Sequence, residues 1–314
     1  MNRQALISPN DYQRWYNVGV NLRKLGKYQQ AITAFDKAIK IKPDYLQAWN
    51  NRGNVLKIVG KLHLALSNFN LAINLEPNYH LCWYNRGNLL NDLGQYREAI
   101  SSFEKAIKIK PNFYQAWYNL ANAWNSLGYY RKALENYEQA TKIKPDLYQG
   151  WYNQGRVLFD LGMYQEALKS FEEVIELKPN HYLAWNFRGR TLFYLGDTEE
   201  EIISYEKAIV IKIDYQEAWN NLGTALLNLG DWYEAIACFN QAIKIKSNYS
   251  LAYYNKARCY ALQEKVYLTI ENLEEAINLG IDQDYREMAK NDTYFSYVRF
   301  NTKFQDLING NFMY

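Results

Sequence analysis

The sequence predicts an all-α fold, a solenoid of short helical hairpins, and three observations carry that reading. Tryptophan recurs at Trp15, Trp49, Trp83, Trp117, Trp151, Trp185 and Trp219, each 34 residues after the last, and Tyr253 takes the next mark. A fixed period of this size marks an array of one small unit, too short to bury a core alone and covered by the next unit along the chain. Glycine follows at a constant distance in seven units, at Gly26, Gly60, Gly94, Gly128, Gly162, Gly196 and Gly230, which suits the left-handed residue that closes a helix. Proline closes the first five units, at Pro43, Pro77, Pro111, Pro145 and Pro179, where it cannot continue a helix interior.

Counting each tryptophan as position 4, a lead-in over 1–11 precedes eight units: 12–45, 46–79, 80–113, 114–147, 148–181, 182–215, 216–249 and 250–283. Each unit holds two helices of about fourteen residues, A before the glycine and B after it. Positions 4, 8 and 11 of helix A, such as Trp15, Gly19 and Leu22, fall on one face. Positions 20, 24 and 27 of helix B, such as Ala31, Phe35 and Ala38, do the same. Glycine at 8 and alanine at 20 and 27 allow close approach, with aromatic rings filling the adjoining space and the tryptophans as core residues at the joint of A and B. Lysines such as Lys37, Lys40 and Lys42 complement the C-terminal dipole of helix B and read as a solvated edge. Beyond 283 the period fails, and Asp292, Phe295, Val298, Arg299, Phe304, Leu307 and Ile308 in the segment 284–314 read as a cap on the last repeat.

Composition narrows the class. At 48% hydrophobic and 22% charged residues, the chain is neither disordered nor membranous, and its net charge of +3 implies no strong electrostatic partner. No signal-like opening and no run of about 18 apolar residues is present, so a cytoplasmic protein is expected. Cys82, Cys238 and Cys259 are an odd number at three different repeat positions and read as small buried fillers.

Tryptophan, small residue, leucine, alanine, aromatic, alanine and proline at positions 4, 8, 11, 20, 24, 27 and 32 resemble the tetratricopeptide repeat over residues 12–283. The resemblance implies antiparallel helix pairs in a right-handed α-α superhelix, with helix A lining a concave groove. Position 6 would then present Asn17, Asn51, Asn85, Asn119, Asn153, Asn221 and Asn255 to that groove, and position 9 adds Asn54, Asn88 and Asn122. Position 5 adds Tyr84, Tyr118 and Tyr152, together with Tyr16 and Tyr254. An asparagine amide has donors and an acceptor, so the ladder can satisfy a peptide backbone without reading side chains. The same asparagines can instead link adjacent helices or face water.

Departures from the pattern gather in the fifth and sixth units. There Leu183, Phe187, Phe159, Phe193 and Tyr194 stand near Arg156 and Arg190, a combination suited to an apolar side chain beside a carboxylate, or to a degenerate repeat that packs differently. Glu201 replaces alanine, Thr198 an aromatic and Ile213 the proline in the sixth unit. The lysine that some relatives use at position 5 to grip chaperone tails is missing from every unit, which argues against that clamp.

No converging catalytic set appears: the three histidines occupy different repeat positions, and metal or phosphate-loop motifs are absent, so neither an enzyme nor a cofactor is expected. The reading is a non-catalytic scaffold that binds an extended peptide or helix of a protein partner. Two alternatives stand beside it. Polar inner helices could read single-stranded RNA, against which the low charge and the tryptophan–proline signature argue. The lysine-rich ends of the B helices also allow a self-assembling spacer.

Overall fold

The computed structural model describes residues 11–281 and 283–311. The expected lead-in therefore lies, apart from Asp11, outside the described residues, as do the last three residues of the cap. All regular structure among the described residues is helical, in the order α1 (Asp11–Lys24), α2 (Tyr28–Ile41), α3 (Leu46–Ile58), α4 (Leu62–Leu75), α5 (His80–Asp92), α6 (Tyr96–Ile109), α7 (Tyr114–Ser126), α8 (Tyr130–Ile143) and α9 (Tyr148–Asp160). There follow α10 (Tyr164–Leu177), α11 (Tyr182–Leu195), α12 (Thr198–Ile211), α13 (Gln216–Leu229), α14 (Trp232–Ile245), α15 (Ser250–Leu262), α16 (Val266–Leu279), α17 (Tyr285–Asn291), a 3₁₀ turn (Thr293–Phe295) and α18 (Thr302–Asn309). The chain forms two compact units, residues 1–157 and 158–314.

In the first unit the pairs α1/α2, α3/α4, α5/α6 and α7/α8 pack as hairpins, and each pair packs on the next. Gly26, Gly60, Gly94 and Gly128 close the A helices at φ of 72–77°, the left-handed region where a side chain is penalised. Within a pair, helix A touches helix B at glycine. A Cβ on Gly19, Gly53 or Gly87 would lie 2.6–2.7 Å from Phe35, Phe69 or Phe103, rings that are themselves completely buried. The small residues thus let each ring sit against backbone, which is why Ala31, Ala38, Ala65, Ala72, Ala99 and Ala106 are also fully enclosed.

The tryptophans pack at the joint of A and B, as Trp15 does against the cluster of Ala31, Phe35 and Ala38, and they also reach the neighbouring pair. They are half-buried, and from the second repeat on the indole N–H donates to a carbonyl in the turn two residues past the preceding B helix: Trp49 to Pro43, Trp83 to Pro77, Trp117 to Pro111 and Trp151 to Pro145, at 2.7–2.9 Å. These bonds tie successive pairs together. Lysines at the ends of B helices do more than meet water, since Lys42 lies 4.8 Å over the Tyr12 ring and Lys144 lies 5.2 Å over Tyr114.

In the second unit α11/α12, α13/α14 and α15/α16 repeat the hairpin, and α10 packs on α11. Trp185 donates to Pro179, and Trp219 donates to Ile213 at the same 2.8 Å, because the contact uses the carbonyl and not the proline ring. Gly162, Gly196 and Gly230 again have φ of 74–88°, whereas Glu264 takes this place in α15/α16 at φ 56°, the one positive-φ residue other than glycine among those described. Tyr285, Phe295, Val298, Phe304, Leu307 and Ile308 close the apolar face of α15 and α16 against Tyr254, Leu273 and Ala276. Cys82, Cys238 and Cys259 are buried and unpaired, and burial pushes their thiols up to about 12, 11 and 12, so they stay protonated and unreactive. No helix among the described residues is long and apolar enough to cross a membrane.

Candidate functional site

The asparagines at position 6 first serve the stack itself. Each amide reaches the preceding A helix: Asn51 donates to the Tyr16 hydroxyl at 3.1 Å, Asn85 to Asn50 Oδ1 at 2.9 Å, Asn119 to the Tyr84 hydroxyl at 3.1 Å and Asn153 to the Tyr118 hydroxyl at 3.0 Å. Asn119 and Asn153 spend their second N–H on Asn88 and Asn122. In the second unit Asn221 donates to Asn186 Oδ1 at 3.0 Å, and Asn255 to Asn220 Oδ1 at 3.1 Å. Such a rung contributes about 0.5–1.5 kcal/mol. What Asn119 and Asn153 still offer a ligand is an acceptor oxygen only. Asn17 is exposed and Asn54 half-buried, and neither side chain is hydrogen-bonded among the described residues. Tyr137, buried behind Asn122, donates to it at 2.6 Å, and burial raises its phenol well above the usual range.

Position 5 supplies the receiving groups, so Tyr84 and Tyr118 are half-buried with their hydroxyls engaged. Tyr152 is also half-buried, and its ring centroid is 5.9 Å from the exposed guanidinium of Arg156 one helical turn on. All of these belong to the first unit.

The remaining departures from the repeat pattern meet in the second unit. Phe187 is half-buried, stacked on Phe171 at 5.4 Å and edge-on to Phe159 at 5.8 Å. The Arg190 guanidinium lies 4.6 Å from the Phe159 ring and 4.8 Å from that of Phe187. Its N–H groups donate to no carboxylate or carbonyl among the described residues. Tyr194 stacks on Tyr164 at 4.4 Å with the rings nearly parallel, and Phe193 meets Tyr194 edge-on at 5.2 Å. Phe193 and Tyr194 stay 46% and 55% exposed, whereas Phe159 is enclosed. Leu183 stands half-buried one turn before Phe187. Phe159 is thus turned inward and Phe187 half-buried, while Phe193 and Tyr194 are presented at the surface.

Beside them opens a cavity of about 160 Å³ lined by Arg190, Phe193, Tyr194, Glu201, Tyr205, Asn221 and Thr224. Sequence periodicity gives no signal for Tyr205 and Thr224, because each conforms to the helical pattern and joins Glu201 only in the folded cavity. Glu201 is 4% exposed, and burial pushes its carboxyl up to about 7 against the opposing effect of a hydrogen bond with Tyr205. The cavity thus joins a guanidinium, a carboxyl that changes charge near neutrality, and two presented rings. No group of histidine, cysteine and carboxylate side chains among the described residues has the geometry of a metal site.

An array of helical hairpins joined at half-buried tryptophans defines an all-α tandem-repeat protein. Family models described as tetratricopeptide repeat match residues 46–79, 80–113, 114–147, 148–181, 182–212 and 217–249, and one described as TPR repeat matches 19–60. The chain belongs to the tetratricopeptide repeat family, and such repeats serve as protein-interaction scaffolds. Among curated proteins none matches the chain. Among solved structures, YrrB, described as a TPR protein with an unusual peptide-binding site, is 29% identical with a TM-score of 0.53 over 59% of this chain and 95% of its own. The C-terminal part of a TPR repeat-containing protein from Cytophaga hutchinsonii aligns at 20% identity and a TM-score of 0.66 over 76% of this chain and 98% of its own. PilF of Pseudomonas aeruginosa aligns at 15% identity and 0.58 over 66% and 94%. The latter two share the fold alone.

Proposed function

We propose that the chain is a non-catalytic scaffold that holds an extended peptide or a helix of a partner protein along its A helices, in the groove that stacked repeats of this family form. The observation that carries this reading is the patch on α11, where exposed Phe193 and Tyr194 flank Arg190 beside a cavity of about 160 Å³. A cavity near 150 Å³ accommodates a group the size of a benzene ring, and the adjacent guanidinium suits a carboxylate. The likeness to YrrB, whose peptide-binding site is part of its description, supports the same use. The asparagine ladder adds acceptor oxygens that a partner's backbone N–H can reach, so it contributes adhesion, and the patch selects. Residues 12–283 form the interaction module in this reading, and the segment after 283 caps it. Three buried thiols agree with a place in the cytoplasm.

Affinity capture from the native cell tests this, comparing the wild-type chain with Arg190→Ala combined with Phe193→Ala, and with Asn85, Asn119 and Asn153 all changed to alanine. The patch variant is expected to lose a captured protein, and the asparagine variant to hold it less tightly. A capture profile unchanged in the patch variant would remove the proposed specificity site.

A further inference from the structure

Three departures from the repeat converge on the cavity of about 160 Å³ in the second unit: Arg190 of α11, and Glu201 and Tyr205 of α12. Glu201 stands where other B helices enclose an alanine, such as Ala99 or Ala235. Tyr205 adds a hydroxyl where Phe35, Phe69, Phe103, Phe171 and Phe239 stand. An alanine and a phenylalanine complete the core elsewhere, so packing alone does not account for the two polar groups. At 4% and 3% exposed they form the inner wall of the cavity, and the exposed rings of Phe193 and Tyr194 form its mouth.

Glu201 and Arg190 line the same space without forming an ion pair with each other. The guanidinium lies 4.6 Å and 4.8 Å over the Phe159 and Phe187 rings, which leaves its N–H edge for an anion. A carboxyl buried without a cation is driven toward its neutral form, and burial pushes that of Glu201 up to about 7. Burial and that carboxyl raise the Tyr205 phenol far above its usual range, so it stays protonated and donates to Glu201. The remaining polar lining is already donating: the Asn221 amide to Asn186 at 3.0 Å and the Thr224 hydroxyl to the Asn220 carbonyl at 2.9 Å. A neutral carboxyl that accepts from Tyr205 still has an O–H to give. The strongest donors left to the cavity are thus the Arg190 N–H edge and the Glu201 O–H, and both suit an anion. A cation in the same space would face the charge of Arg190.

Few other groups titrate beside Glu201. α12 packs on α11, which turns Arg190 and Tyr194 to the cavity, and on α13, which turns Asn221 and Thr224 to it. Glu217, the one titratable side chain of α13, lies a turn before Asn221. On α12 itself Glu200 is taken by Arg188 at 2.9 Å.

We infer that Glu201 is a binding residue of this cavity: as the neutral acid it donates its O–H to the same partner carboxylate that Arg190 pairs with, beside a partner ring held by Phe193 and Tyr194. An O–H···O⁻ hydrogen bond of this kind is short and strong, and a carboxylic acid kept neutral in an apolar site is an established kind of donor. An ionised Glu201 would instead set two like charges in one small cavity. The inference rests on the scaffold reading above and gives its specificity patch a ligand chemistry and a pH response. Below about 7 Glu201 already carries its proton and binding moves none; above it, each carboxylate bound brings a proton in, and affinity falls as pH rises.

The test is isothermal titration calorimetry of the intact chain with N-acetyl-phenylalanine, a ring beside one carboxylate that stays ionised between pH 6 and pH 8, in buffers of different ionisation enthalpy. The wild type is expected to bind about tenfold more weakly at pH 8 than at pH 6 and to take up close to one proton per ligand at pH 8. Glu201→Gln keeps a neutral donor and should bind equally at both pH values without proton uptake, while Arg190→Ala should lose most of the affinity. Glu201→Ala restores the residue of the other repeats and should bind weakly at both. Unchanged helical circular dichroism verifies that each variant folds. The histidines titrate in every variant, so the difference between the wild type and Glu201→Gln isolates Glu201. Wild-type affinity that ignores pH, or a pH response retained in Glu201→Gln, overturns the inference. So does preferential binding of phenethylamine, the matched cation, that strengthens as pH rises. If N-acetyl-phenylalanine does not bind at all, the inference falls, and the scaffold reading still stands if capture of the native partner depends on Arg190 and Phe193.

Discussion

Glu201 occupies the place where Ala31, Ala65, Ala99, Ala133, Ala167 and Ala235 are completely enclosed, and it is almost as buried as they are. Its carboxyl titrates near 7 in the folded chain against an ordinary 4.5, with burial as the cause. Between those values the folded state binds the proton that the unfolded state has lost, so stability falls as pH rises from about 4.5 to about 7 and is level above. The full effect is roughly 3 kcal/mol. Urea denaturation at pH 5 and pH 8 is expected to show this loss in the wild type and not in Glu201→Ala, which should be the more stable chain at pH 8. Equal pH profiles for the two would show that Glu201 is solvated in the native state. Glu264 is the second residue to break a repeated rule, at φ 56° where seven glycines stand. A left-handed conformation costs an ordinary residue about 1–2 kcal/mol, and glycine returns about half of that as greater freedom in the unfolded chain. Glu264→Gly should therefore stabilise by about 0.5–1 kcal/mol in the same assay, and a loss of stability would show that other contacts of Glu264 outweigh backbone strain.

Within a helix pair, the contact between position 8 and position 24 sets the spacing. A Cβ on Gly87 would meet Phe103 Cε1 at 2.6 Å, and the ring is fully buried and has nowhere to swing. Gly87→Ala is expected to cost about 1–3 kcal/mol, as overpacking does. The chain already contains a compensated version: α15/α16 has Ala257 and Leu273 at these two positions, both fully buried. Adding Phe103→Leu to Gly87→Ala should recover part of the loss, so a double-mutant cycle on α5/α6 is expected to give a favourable coupling, and additivity would refute the clash. Elements were legible in the sequence because Gly26 and its six equivalents end helices by backbone geometry, which a single residue type reports. The joints were less so. The contact made by Trp219 survives at Ile213, where the proline is missing, because a carbonyl is available from any residue. The rung from Asn153 to Tyr118 joins residues 35 apart, one more than the period, so the periodicity that revealed the asparagines concealed their partners. Phe187 interrupts the asparagine series in the sequence, but its packing against Phe159 and Phe171 depends on ring orientation that no spacing reports.

Across the whole molecule, 36 basic and 33 acidic residues leave a charge of only +3, and several of the lysines lie over aromatic rings rather than forming a free cationic stripe. A partner held by one or two guanidinium–carboxylate contacts releases few counterions. The slope of log affinity against log salt should then be shallow, about −1 to −2. A single-stranded RNA threaded along the A helices would instead engage a phosphate at most repeats, and six contacts would give a slope of about −4. Titrating the captured partner and a labelled oligouridylate against the intact chain at several salt concentrations separates the two. The expected outcome is a shallow dependence for the protein partner and no saturable binding of the RNA at moderate salt. Tight RNA binding with the steep slope would replace the scaffold reading, since burial and ring stacking on α11 would then have to accommodate bases rather than side chains.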